Sequence, residues 1–169
     1  MSTVSTGVQS DPSRLRRMMW SGCGRWCLRF TPHVAYGLRN VVLRMFGASI
    51  ERGARVRRSV SIDAPWQLRL GARAMIGDKA MISGRHPVTI GRGTTISQGV
   101  ALLTAAVGVG EGPIRIGSGC WIAAETIVLP ESLIGDGTVV GARSQVAGVL
   151  PADVVSVGLP AVAVGPRVR

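Results

Sequence analysis

The chain has 169 residues, 46% of them hydrophobic and 17% charged, which suits one compact domain and excludes a disordered or multidomain chain. Aromatics are only 4% while there are 23 glycines, a balance that favours short strands and tight turns over a core filled by rings. Twenty Lys and Arg against nine Asp and Glu give a net charge of +11; an anionic partner fits that sign, but an arginine-rich coding bias would produce it too.

Residues 1–12 are Ser/Thr-rich and without pattern, and are expected to form a flexible tail. In the segment 13–49, seven arginines are interleaved with Leu15, Met18, Trp20, Trp26, Phe30, Val41 and Leu43. That spacing predicts two short amphipathic helices, broken near Thr31-Pro32 because proline disfavours helical geometry in the residue before it. Two roles stay open for it: packing its apolar face on the main domain, or peripheral contact of 13–46 with anionic lipid. Cys23, Cys27 and Cys120 form neither a disulfide framework nor a metal-ligand spacing, so no metal is expected and the reducing cytoplasm is the expected compartment. No apolar run reaches the roughly 18 residues of a membrane-spanning helix.

From Ile50 onward the sequence repeats. Aliphatic residues fall at Ile50, Val56 and Ile62, at Leu70, Ile76 and Ile82, at Ile90, Ile96 and Leu102, and at Ile116, Ile122, Val128, Ile134, Val140 and Val146. Within each run the step is six. Small residues recur four places later, among them Ala54, Ala74, Ala80, Thr94, Cys120, Thr126, Ser132, Thr138 and Ser144. A hexapeptide period is the signature of a parallel β-helix, in which three six-residue faces close one triangular coil around a shared aliphatic interior. The expected fold is therefore all-β, with the β-helix over 50–151, a short α-helical segment before it and a C-terminal tail over 152–169.

Breaks in the step carry information of their own. Ile62 to Leu70 and Ile82 to Ile90 are eight residues apart, and Leu102 to Ile116 fourteen, so every lengthening falls at one corner of successive coils. The excursion Thr104–Pro113 is the leading candidate for a functional loop. Its glycines offer backbone amides, while Glu111 is its one ionisable side chain.

Taken in order, Leu43-x-Met45-Phe46-Gly47-Ala48, Ala64-Pro65-Trp66-x-Leu68, Ile96-Ser97-Gln98-Gly99, Trp121-Ile122-Ala123-Ala124 and Val140-Gly141-Ala142-Arg143-Ser144 resemble the hexapeptide-repeat acetyltransferases of colanic acid and other exopolysaccharide pathways. The resemblance implies a left-handed coil, a homotrimer, and transfer of an acetyl group from acetyl-CoA, bound between neighbouring prisms, to a hydroxyl of a saccharide acceptor that is either free or lipid-linked. It places Ala123, Ala124, Gly141 and Ala142 along the cofactor groove, with Arg143 either meeting a CoA phosphate or simply solvated. Gly158-Leu159-Pro160-Ala161 resembles the family's Gly-Asn-Pro-Ala turn with Leu159 in place of Asn, a change that Arg167 or Arg169 is placed to offset.

In that family a loop histidine takes the hydroxyl proton; here the corresponding position is Val107, which cannot. The substitutes are His86, one coil earlier at the same corner, and Glu111 in the loop, while His33 reads as a helix-face residue. By its hexapeptide phase His86 is expected to point inward. Loss of a general base typically costs a factor of about 10² to 10⁴ in rate, so two functions are carried forward: an O-acetyltransferase with impaired catalysis, or an inactive trimeric CoA-binding or structural subunit. A hexapeptide carbonic anhydrase would need three metal-binding histidines, and only two histidines exist. Nucleic acid, for which no recognition motif is found, is not an expected partner. The expected location is the cytoplasm, including the inner face of the membrane.

Overall fold

The computed structural model describes residues 18–24, 31 and 35–168, the side chains of 23 and 24 excepted; Cys27, His33, Arg169 and most of the first expected helix lie outside these. Short strands of two or three residues wind into a parallel β-helix of about five turns. Its first face stacks Ser49–Ile50, Leu68–Leu70, Val88–Ile90, Ile114–Ile116, Leu133–Ile134 and Val149–Leu150. The second stacks Arg55–Val56, Met75–Ile76, Thr95–Ile96, Trp121–Ile122 and Val139–Val140, and the third Ser61–Ile62, Met81–Ser83, Ala101–Leu103, Ile127–Val128 and Gln145–Val146.

Register explains why the period is six. Val56 pairs with Ile76, Ile76 with Ile96, Ile96 with Ile122 and Ile122 with Val140, so one aliphatic column runs up each face and every member of it is buried. Such columns remove apolar surface from water at about 25 cal/mol per Å². Neighbouring residues in the strand point outward, as alternation requires. The small residues four places on fill the inner corners, where a hydroxyl also satisfies a carbonyl of the next coil: Thr94 Oγ1 donates to Gly117 O at 2.6 Å and Thr126 Oγ1 to Gly141 O at 3.1 Å. A side chain at Gly91 would run into the backbone of Gly117 in the coil above.

The two ends are closed differently. At the first coil lies helix α1 (Tyr36–Met45), whose side chains donate to carbonyls that have no coil beneath them. Buried Arg39 gives Nε–H to Val56 O at 2.8 Å, Asn40 Nδ2 reaches Ala54 O at 2.8 Å, and Arg44 Nη2 reaches Ile50 O at 2.7 Å. Burial pulls the Arg39 pKa below the ordinary arginine value, with Tyr36 acting the other way. Trp20, in a π-type turn at Trp20–Gly24, donates Nε1–H to Ile62 O at 2.9 Å and packs on Phe46. Beyond the last coil, residues past 151 are two strands rather than a plain tail. Val154–Gly158 continues the second face and turns back into antiparallel Ala161–Pro166.

Candidate active site

The edge where the third face turns into the first carries every lengthened step. There Asp63 Oδ2 accepts from Ser83 Oγ at 2.7 Å and from the Gly84 N–H at 3.3 Å. Buried Thr104 donates Oγ1–H to Ser83 O at 3.1 Å and accepts the His86 N–H at 3.3 Å, while the Gly112 N–H closes on Thr104 O at 2.9 Å. Gly84 sits at φ +105, and a Cβ there would collide with Thr104 Oγ1, so this corner demands glycine.

From Thr104 the chain leaves the prism as a small hairpin, Ala105–Ala106 antiparallel to Gly110–Glu111. Val107 is fully exposed at its tip. Glu111 returns toward the corner, where its Oε2 lies 3.4 Å from His86 Nε2. The His86 side chain is 36% exposed, which corrects the inward orientation expected from its phase: the two extra residues of the eight-residue step carry it out of the inner corner, and Val88 takes the buried place. A groove of about 430 Å³ runs along the later coils at this edge, lined by Val109, Gly110, Glu111, Leu129, Pro130, Glu131, Ala147 and Gly148.

The residues expected to line the cofactor groove occupy a different edge, between the second and third faces. Ala123 and Ala124 follow the strand Trp121–Ile122, and Gly141, Ala142 and Arg143 follow Val139–Val140 one coil on. Trp121 is half exposed there, its Nε1–H donated to Ser97 Oγ at 3.0 Å. Arg143 is held by Glu125 at 2.7 Å, a pairing that raises its pKa and extends the guanidinium along the coil surface. Arg167 donates to Gly119 O at 2.7 Å and Gly137 O at 2.8 Å, and so fastens the C-terminal strand to the late coils. Within one chain, then, the His86–Glu111 pair and the expected cofactor residues are separated by a face of six residues, up to roughly 20 Å at about 3.3 Å per residue.

Across 162 residues the chain is 39% identical to the Escherichia coli (strain K12) protein provisionally named colanic acid biosynthesis acetyltransferase WcaF, covering 92% of this chain and 89% of that one. This chain belongs to the hexapeptide-repeat acetyltransferase family. No family model matches it. The fold superposes on that of the hexapeptide-repeat acetyltransferase VCA0836 from Vibrio cholerae with a TM-score of 0.83, at 19% identity over 94% of this chain and 96% of that one. It also superposes on a galactoside acetyltransferase solved with coenzyme A, at a TM-score of 0.81 and 22% identity over 90% and 80% of the two chains. The coil is thus the left-handed parallel β-helix of these acetyltransferases.

Among the described residues, no group of three or more His, Cys, Asp and Glu is placed to hold a metal ion, and no helix is long and apolar enough to cross a membrane. Cys120 is buried, and desolvation raises its thiol pKa. One feature of the acetyltransferase surface escapes a linear reading. On the first face, outward Arg69 pairs in register with Thr89 and Thr89 with Arg115, so three polar side chains stand in a column. With Trp66, Gln67, Pro87 and Pro113 they line a cleft of about 570 Å³.

Proposed function

We propose that this hexapeptide-repeat acetyltransferase moves an acetyl group from acetyl-CoA to a sugar hydroxyl in exopolysaccharide assembly, with His86 as proton acceptor. The observation that carries the reading is the His86–Glu111 contact at 3.4 Å, at the edge where the excursion leaves the prism. With Nε2–H turned to the Glu111 carboxylate, Nδ1 keeps its lone pair. Nδ1 takes the hydroxyl proton while the oxygen attacks the thioester carbon; the C–S bond then breaks and the imidazolium returns the proton to the departing thiolate. Glu111 fixes the tautomer and steadies the imidazolium. Val107, in this reading, has no part in the chemistry.

Donor binding is proposed at the edge of Ala123, Ala124, Gly141, Ala142 and Arg143, the last meeting phosphate when it leaves Glu125. Because that edge lies a full face away from His86, one copy supplies the base and its neighbour the donor edge, and a homotrimer completes three such sites. Outward Met75, Trp121, Val139 and Val155 give the second face apolar surface for that packing. The relatives support the donor: VCA0836 has been solved with acetyl-CoA and the galactoside enzyme with coenzyme A. Contact with anionic lipid through 13–46 would bring a lipid-linked acceptor to the site.

CoA release from acetyl-CoA in the presence of saccharide acceptors tests the reading, with His86→Gln as the deciding variant. Acceptor-dependent turnover that falls by about 10² or more in the variant, with unchanged CoA binding, supports it. The second reading, an inactive CoA-binding subunit, is favoured by the hairpin Ala105–Ala106, which carries no reacting group on its outgoing strand. CoA binding without turnover in wild type and variant alike selects that reading.

A further inference from the structure

We infer that the cleft on the first face, lined by Trp66, Gln67, Arg69, Thr89 and Arg115, binds a saccharide that carries negative charge. The inference rests on the acetyltransferase reading and names the class of its acceptor. The three polar side chains are outward members of consecutive rungs, so the two arginines stand two strand spacings apart, about 9.6 Å. That is the scale of one pyranose ring with a charged substituent, not of a single small anion. Arg69 and Arg115 are exposed, and neither forms an ion pair among the described residues. Guanidinium forks match phosphate and carboxylate oxygens alike.

The rest of the lining suits a sugar. Trp66 packs against the core and lines the cleft, and indole suits the apolar face of a pyranose. Thr89 supplies a hydroxyl midway between the arginines. Position links the cleft to the chemistry. Pro87 directly follows His86, and Pro113 lies two residues after Glu111, so a chain of sugar residues lying in the cleft directs its end to the proton acceptor. The charge is either a phosphate, as in a glycosyl phosphate, or a uronate carboxylate; the arginine pair recognises the chemistry both share.

Fluorine NMR of the full chain labelled with 5-fluorotryptophan, with Trp66 assigned through Trp66→Phe, reads the cleft directly. The probes are a glucuronate-containing disaccharide, glucose 1-phosphate, an uncharged glucose disaccharide and inorganic phosphate. At least one charged saccharide should shift the Trp66 signal and bind about tenfold or more tighter than the uncharged disaccharide, and Arg69→Gln and Arg115→Gln should each weaken it by about tenfold; which charged probe wins tells phosphate from uronate. Equal binding of the uncharged disaccharide, indifference to both substitutions, or a Trp66 signal moved by none of the probes overturns the inference, as does inorganic phosphate binding as tightly as either charged saccharide. CoA binding to the same samples separates the two failures. An empty cleft beside intact CoA binding removes this inference alone, whereas a filled cleft without CoA binding removes the acetyltransferase reading.

Discussion

The early and late coils of the prism share one interior and differ in their exterior. Residues 49–100 carry nine Arg and Lys against three Asp and Glu, a net +6, whereas residues 101–150 carry two against four, a net −2. Yet Ile76 and Ile122 occupy the same column and are equally buried. A hexapeptide coil dictates two of its six positions, the inward aliphatic and the corner residue, and leaves the outward ones free. In this chain that freedom has gathered arginine on the early coils, together with the His86 corner, and left the late coils with the small residues Ala123, Ala124 and Gly141. Division of labour along a solenoid axis requires no change of fold.

The largest effect is expected where the edges differ most: His86→Ala should lower kcat by about 10² to 10⁴ with KM for acetyl-CoA unchanged, while Arg143→Ala should raise that KM and spare kcat. Reversed effects in steady-state kinetics would exchange the duties of the two edges. Interior equivalence predicts that Ile76→Val and Ile122→Val each cost about 0.5–1.5 kcal/mol and cost the same, as read by denaturant midpoints; a difference above about 1 kcal/mol would mean that the coils are not energetically alike.

Further effects follow from charge and burial. Co-sedimentation with anionic vesicles should fall by about 10² when Arg14, Arg16 and Arg17 of the 13–46 segment are changed to Gln, and stay unchanged for Arg115→Gln and Arg143→Gln, because each basic residue near an anionic surface contributes about 1 kcal/mol. Equal losses in both sets would remove the lipid contact assigned to that segment. The smallest concerns Cys120. A thiol whose pKa is raised by burial is protonated in the folded chain at pH values where the unfolded chain has begun to lose its proton. Its contribution is complete below the ordinary thiol range and is lost as pH rises through the folded value, so Cys120→Ser should flatten the alkaline limb of a stability profile, measured by thermal melts.

Much of this was legible in the sequence because the fold is periodic. Every inward aliphatic from Ile50 to Val146 is buried where its phase puts it, and the fourteen-residue step marked the excursion before any geometry. What a linear reading lacks is register across coils. Arg69, Thr89 and Arg115 are twenty and twenty-six residues apart and become one column only when the strands pair. The orientation of His86 escapes phase counting, which treats an eight-residue step as six plus two without saying which two bulge. Nor does the repeat tell that Arg143 and His86 sit on different edges unless the faces are counted around each coil.

Helix α1 has a further consequence. A β-helix is a sheet with two open ends, and an uncovered end presents unpaired carbonyls and amides in a flat, regular array to which another chain can add in the same register. Arg39, Asn40 and Arg44 occupy three such carbonyls on the first coil, and the antiparallel turn-back of Val154–Gly158 on Ala161–Pro166 covers the second face at the other end. These two closures leave fewer open groups at the ends of the stack, where the coils of another chain could otherwise add.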